Sequence, residues 1–520
     1  MEKVDNEIDN QPNTTLDEAR RLLPPWESSK TTKTPLMNTT MVAFIICFLF
    51  FGAFAFFHFK NDSNFLGYYS RKSSPSNLSP EYEVTYLPSL NCTRSEDDKK
   101  DYISVKRANR TYEIPSNMTC PNYFRWIHED LRHWKKSGIT KEMLNKAKEK
   151  ANFRVIIIRG RLYIETYSKA FQSRDVFTIW GFIQLLRWYP GRIPDLDLMF
   201  NCDDPPAVGS SSMEYHNNGG PPPLFKYCSD KMSLDIVFPD WSFWGWAEVN
   251  IKPWKSLIKE MKQGNKVRNW EDRFPVSYWK GNSYVATTRR DLFNCNISNI
   301  HNSHALLYQQ DWIKESQQGF KESNLANQCI HRYKIYIEGR AWSVSEKYIM
   351  ACDSPTLYVD SSYYEFFSRS MFPMEHYWPI NSNDKCKSLK FAVEWGNNHT
   401  SKAKEIGKEG SNYVMDQVKM EYVYDYMYHL LKEYANLLKF KPEVSVNATE
   451  MFPESMACTA DGVWKEFMME SWETDPSERS PCSLSPRFSK KELKSLRLKR
   501  ERSIKNVESM KNDYWKNRKW

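Results

Sequence analysis

Net charge is missing from the body of this 520-residue chain. Between Arg487 and Trp520 there are 13 Lys and Arg against 4 Asp and Glu, an excess equal to the +9 of the whole sequence. The remainder is neutral, which removes the case for a nucleic-acid surface and leaves only a basic tail. Glycine-rich phosphate loops are missing too. The two strand-to-helix turns at Gly281 and Gly339 carry neither G-x-G-x-x-G nor a Walker lysine, so neither is a dinucleotide or P-loop motif. A cleavable leader is excluded as well, because the apolar run Met41–Phe57 starts far from Met1 and no small-residue cleavage site follows it.

That run is 17 residues without a charge, and His58 and Phe59 extend it. It is at the short limit for a bilayer span. The expected layout is a disordered cytosolic tail over 1–40, a transmembrane anchor over 41–59 and a Ser/Pro/Asn-rich stem over 60–118. Flanking Lys and Arg barely decide orientation. Of 11 cysteines, Cys47 lies in the span and ten follow it, which suits an oxidising lumen. Eight Asn-x-Ser/Thr sequons follow the span as well, but Asn13 and Asn38 precede it. The expectation is a single-pass type II protein, its bulk in the lumen of the Golgi or endoplasmic reticulum.

The globular part reads as α/β. Thr140 is placed to cap a helix, with Ile139 stapling onto Leu144. Arg154–Arg159 and Arg161–Glu165 read as a hairpin around Gly160, and Val176–Trp188 as a helix. Leu196, Leu198 and Phe200 alternate along a half-buried strand that stops at Asp203-Asp204-Pro205-Pro206. The prolines cannot extend the ladder, so two carboxylates sit at a strand's carboxyl end, where α/β sheets bind ligands. Asp204 is a candidate general base there; an Asp-Pro turn is the plain alternative. The aromatic run at Trp241, Phe243 and Trp244 is a candidate sugar platform, with core packing the alternative.

A second βα series follows. Val276–Lys280 ends at Gly281 before a helix bearing Arg289 and Arg290, and Tyr333–Ile337 ends at Gly339 before a helix from Trp342 to Ala351. A glycine turn feeding a helix amino terminus is an anion site. A helical stretch closes the unit over 412–440. The expected domains are 119–275, 276–445 and a C-terminal extension, 446–520, whose basic tail is a surface helix or a disordered arm.

From Cys120 to about Phe440 the chain resembles the Rumi-type protein O-glucosyltransferase family, which includes the KDEL-motif-containing and capsule-associated glycosyltransferases. The segments that carry the resemblance are Tyr123–Leu131, Pro194–Asp204, Phe238–Trp244, Tyr278–Gly281 and Tyr336–Lys347, closest in wording to the plant branch. The resemblance implies a GT-B fold, two Rossmann-like domains facing across a cleft, and an inverting, metal-independent transfer from a UDP-sugar with no cofactor. It puts the base on Asp204, with Asp203 where the family usually has arginine or another residue. Donor contacts fall on Gly281, Arg290, Gly339, Ala341 and Ser343, with Arg289 an alternative to Arg290 because the loop before it is two residues longer. Cys329 and Cys352 match a family disulfide.

The acceptor side departs from the pattern after Trp244, so a protein and a polysaccharide acceptor both stay open. The chain ends Asn-Arg-Lys-Trp520 without a KDEL signal, which assigns retention to the anchor. Two rival readings stand beside this one. One is a metal-dependent GT-A enzyme using Asp195 and Asp197. The other is a catalytically silent glycan-binding scaffold.

Overall fold

A computed structural model describes residues 84–85, 90, 92, 104–105, 118–211, 220–296 and 304–518. The expected anchor at 41–59, the tail at 1–40 and most of the stem lie outside these. No helix among the described residues is long and apolar enough to cross a membrane.

Helix α1 (Lys141–Ala147) starts as its sequence dictates, with Thr140 Oγ1 accepting the Met143 N–H and Ile139 and Leu144 both buried. Strands β1 (Phe153–Ile158) and β2 (Arg161–Thr166) form the hairpin. Its two turn residues, Arg159 and Gly160, have φ of 50° and 72°, the primed-turn geometry whose twist fits a two-residue hairpin. Helix α2 (Arg174–Trp188) is buried almost throughout and leads to β3 (Leu196–Phe200), then β4 (Leu224–Lys226) and β5 (Ile236–Val237). Every residue of β3 is buried. The half-buried expectation fails because Met199 and Asp197, on the face expected to be polar, are covered, Met199 by a cluster with Leu144 and Ala147 and Asp197 by Arg154.

The second series gives β6 (Phe274–Gly281), α3 (Thr287–Leu292), β7 (Ala305–Gln309), β8 (His331–Tyr336), α4 (Ser345–Met350), β9 (Thr356–Val359), β10 (Trp378–Ile380) and α5 (Met420–Ala435). Its sheet is wholly parallel in the order β7-β6-β8-β9-β10. Counting from β6, this is the flavodoxin-like order 2-1-3-4-5, whose switch point lies between its first and third strands, here β6 and β8. Its core is rich in aromatics, including Trp279, Tyr333 and Trp378.

The first sheet is mixed. Adding β11 (Thr449–Met451), its order is β11-β2-β1-β3-β4-β5, and only β3, β4 and β5 run parallel. The tight hairpin forces β1 and β2 antiparallel, so the parallel character of a Rossmann sheet is confined to the half that ends at Asp204. Strand β11 belongs to the stretch expected as an extension, yet it edges this sheet.

Helix α5 also returns to the first sheet, where Tyr434 Oη donates to the Asp197 carbonyl at 3.0 Å. The 412–440 stretch is interrupted by a π-helical turn at Tyr413–Gln417. The basic tail is a docked helix, α6 (Lys490–Asn517), opened by a Ser489–Glu492 capping box. Its Val507 enters the second core, and Arg500 donates to the carbonyls of Arg369 and Met371 at 2.7 and 2.8 Å. Disulfides join Cys92 to Cys458, Cys120 to Cys482, Cys295 to Cys386 and Cys329 to Cys352.

Candidate active site

The acidic loop after β3 is fixed at both ends. At its start, Asn201 Oδ1 accepts the Asp203 N–H at 2.8 Å and also bonds the Lys226 ammonium, while Asn152 Oδ1 takes the Cys202 N–H at 2.7 Å. At its end, the buried Asp235 carboxylate accepts the N–H groups of Ala207 and Val208 at 3.0 to 3.2 Å. Pro205 and Pro206 between these clamps offer no N–H. Burial pushes the Asp235 carboxyl up to about 6, against the pull of those backbone donors and Lys226.

Held this way, the two carboxylates diverge. Asp203 turns back to Asn201. Asp204 accepts from Arg174 Nη1 at 2.8 Å, and its side chain is 27% exposed.

On the other side, Arg289 fills the switch point between β6 and β8. Its guanidinium donates to the carbonyls of Asn282 (3.3 Å), Ile337 (3.2 Å) and Glu338 (2.9 Å) and to Ser343 Oγ (3.0 Å). A Cβ added to Gly339 would lie 3.5 Å from Arg289 Nη2, so that turn packs against the cation. Burial disfavours the charged form of Arg289, and the carboxylates of Glu338 and Asp204 are near enough to oppose this. Arg290 is exposed. Of the expected donor contact Arg290 and its alternative Arg289, α3 turns residue 289 into the crevice and residue 290 to solvent.

Gly281 ends β6 one residue before Asn282, and Ala341 is buried behind the turn. The helix expected from Trp342 begins at Ser345 instead. The Ser343 N–H is already spent on Tyr336 Oη at 3.2 Å, so the anion-binding character of this turn lies in Arg289 and the Ser343 and Ser345 hydroxyls, which bond each other at 2.8 Å.

The two loops meet. Cys228 Sγ donates to the Asp204 carbonyl at 3.3 Å and also bonds the Trp342 backbone. The Trp342 ring lies 5.7 Å from Tyr227 and 6.2 Å from Trp241. Beside this contact, Lys347 of α4 reaches Asp240 Oδ2 at 3.3 Å and Ser242 Oγ at 2.6 Å, with Lys347 and Asp240 both buried.

Two expectations fail here. The aromatic platform does not exist, since Trp241, Phe243 and Trp244 are all 0% exposed. Trp241 packs on Tyr227 and Trp246, Phe243 on Phe366 and Trp254, and Trp244 on Gly181 and Tyr424. An Asp240-capped 3-10 turn carries all three inward. The Asp195/Asp197 metal pair fails too. Arg154 holds both Asp197 oxygens at 2.7 and 2.5 Å, and Asp195 accepts the Arg159 N–H of the hairpin turn at 2.7 Å.

Residues 115–511 match the model of glycosyl transferase family 90. The chain belongs to glycosyl transferase family 90. It is 25% identical over 370 residues to human protein O-glucosyltransferase 1, covering 68% of this chain and 91% of the relative. The O-glucosyltransferase rumi of Drosophila melanogaster is 23% identical over 384 residues, 68% and 89% of the two chains. The rumi homolog of Anopheles gambiae is 24% identical over 362 residues, 67% and 87%. Among solved structures, a sucrose-phosphate synthase from Thermosynechococcus elongatus covers 34% of this chain and 42% of its own at 12% identity and a TM-score of 0.21, too weak a likeness to bear on the fold. This family 90 protein is a UDP-sugar-dependent glycosyltransferase.

Arg174 and Asp235 escaped sequence reading. The signal for Arg174 was an Arg-Asp pair opening a largely apolar helix. For Asp235 there was none, since its role depends on β4 bringing β3 and β5 together.

Proposed function

We propose that this family 90 enzyme is an inverting, metal-independent transferase that moves glucose, xylose or a related sugar from a UDP-sugar to a hydroxyl of a protein or polysaccharide. Its two sheets act as the facing lobes of a GT-B enzyme, with residues 41–59 tethering it, type II, to a Golgi or endoplasmic reticulum membrane. The juxtaposition of Asp204 with the Arg289 crevice carries the reading, and the relatives named as O-glucosyltransferases support glucose and a protein acceptor.

In the reaction, the acceptor O–H gives its proton to the Asp204 carboxylate as its oxygen bonds the anomeric carbon. The bond from that carbon to the diphosphate breaks, and UDP leaves with the electron pair. Arg289 and the hydroxyls of Ser343 and Ser345 meet the charge that develops on the leaving oxygen. Gly281 and Gly339 border the donor at the switch point, where a Cβ would meet Trp279 and Arg289 respectively. No cofactor takes part.

The test is a panel of UDP-sugars incubated with the purified luminal part, with product anomers read by NMR and the assay repeated in chelator. A β-linked product from an α-linked donor, at an unchanged rate in chelator, fits the proposal. Retention of configuration contradicts the role of Asp204, and loss of turnover in chelator contradicts metal independence.

A further inference from the structure

We propose that Arg174 is the positioning residue of the base: its guanidinium engages one oxygen of Asp204 and leaves the other turned to the acceptor hydroxyl. This rests on Asp204 being the base.

Arg174 opens α2, and its side chain is 7% exposed. Nη1 donates to Asp204 Oδ1 at 2.8 Å and to the Cys202 carbonyl at 2.9 Å, tying the carboxylate to the backbone that leads into its loop. The guanidinium lies 4.6 Å from the Trp241 ring centre and 5.2 Å from that of Phe171. The inner ring is fully buried and the outer one is 62% exposed, so the cation sits where the protein interior ends and the loop bearing Asp204 begins.

The backbone of Arg174 is also held. Its carbonyl accepts the hydroxyls of Thr178 at 2.7 Å and Tyr227 at 3.3 Å, and Ser173 before it is bonded to Glu248 at 2.7 Å. Nε is buried and bonds no protein atom among the described residues, a cost that an apolar side chain of similar length avoids. That cost is understandable if the residue's task is directional. A bidentate pair would occupy both carboxylate oxygens, as Arg154 does with Asp197, whereas the hydrogen bonds from Arg174 to Asp204 involve Oδ1 alone.

During transfer the acceptor proton goes to the free oxygen, the new O–C bond forms and the bond to UDP breaks. Arg174 keeps its partner throughout and exchanges no proton.

The experiment measures UDP-sugar turnover by Arg174→Ala, Arg174→Met and Arg174→Lys, using UDP-glucose or UDP-xylose, whichever the wild type consumes, alongside calorimetric binding of UDP. The expected result is a kcat reduced roughly a hundredfold in Arg174→Ala and Arg174→Met, with donor KM and UDP affinity within about twofold. Guanidinium ion restores at least part of the lost rate to Arg174→Ala, and Arg174→Lys falls between wild type and Arg174→Ala. Arg174→Met keeps the volume of the side chain and serves if Arg174→Ala fails to fold. A kcat within about threefold of wild type in Arg174→Met, or a loss that guanidinium leaves untouched in a folded Arg174→Ala, overturns the inference. Asp204→Asn run in parallel separates the two claims: full activity there overturns the base itself, whereas an inactive Asp204→Asn beside a fully active Arg174→Met overturns only the positioning.

Discussion

The two sides of the site are built by opposite means. The loop that carries Asp204 ends a mixed sheet and is clamped by buried polar side chains, Asn201 at its own start and Lys226 and Asp235 from neighbouring segments. The crevice of Arg289 ends a parallel sheet and is assembled from within, one guanidinium collecting three carbonyls and a hydroxyl. A proline loop has few N–H groups and needs side chains to hold it, whereas a parallel switch point already presents carbonyls from two strand ends. The loop of Asp204 is therefore held in place by several residues, and the crevice beside Gly339 by one.

The sharpest break of that contrast is Asp204→Asn. Turnover falls roughly a thousandfold while UDP affinity holds, checked by steady-state kinetics and calorimetry. Next comes Arg289→Gln, for which kcat falls by roughly a hundredfold, about 3 kcal/mol of leaving-group stabilisation, and UDP affinity falls with it. Phe243→Ala decides between platform and core: it costs about 3–5 kcal/mol of stability in denaturant unfolding and leaves acceptor KM unmoved in molecules that remain folded.

Asp235 gives a smaller effect with a defined sign. Its carboxyl is raised from an ordinary value of 3.8 to about 6 in the fold, so its contribution is whole below the unfolded value and is lost as pH rises through about 6. The wild type should therefore lose unfolding free energy relative to Asp235→Asn between about pH 4 and pH 7, by up to about 3 kcal/mol, read from denaturant unfolding at each pH. A parallel pH dependence in the two proteins breaks the clamp argument. The smallest effect is Arg290→Gln, within about twofold of wild type in turnover, as expected of an exposed side chain.

What the sequence made legible follows from locality. The Thr140 cap, the turn at Gly160 and the strand that ends at Phe200, before the loop of Pro205, are set by residues within a few positions of one another, and each could be read directly. The resemblance carried the family and the neighbourhood of Gly281, Gly339 and Ser343. Illegible were features decided by distant partners. The choice of Arg289 over Arg290 depends on the phase of a single helical turn. The inward rotation of Trp241, Phe243 and Trp244 depends on Gly181 and Phe366, and the burial of Asp197 depends on Arg154 from another strand. A charge run such as Arg487–Trp520 reads as solvated until Val507 and Arg500 are seen to dock it.

The central claim is that Asp204 and Arg289 face one substrate from opposite sheets. A crystal structure of residues 118–518 with UDP bound is the decisive measurement. The account predicts the diphosphate on the Arg289 guanidinium and the Ser343 hydroxyl, with the Asp204 carboxylate facing it across the crevice. A diphosphate held by Arg290, or one with Asp204 turned away from it, contradicts the account.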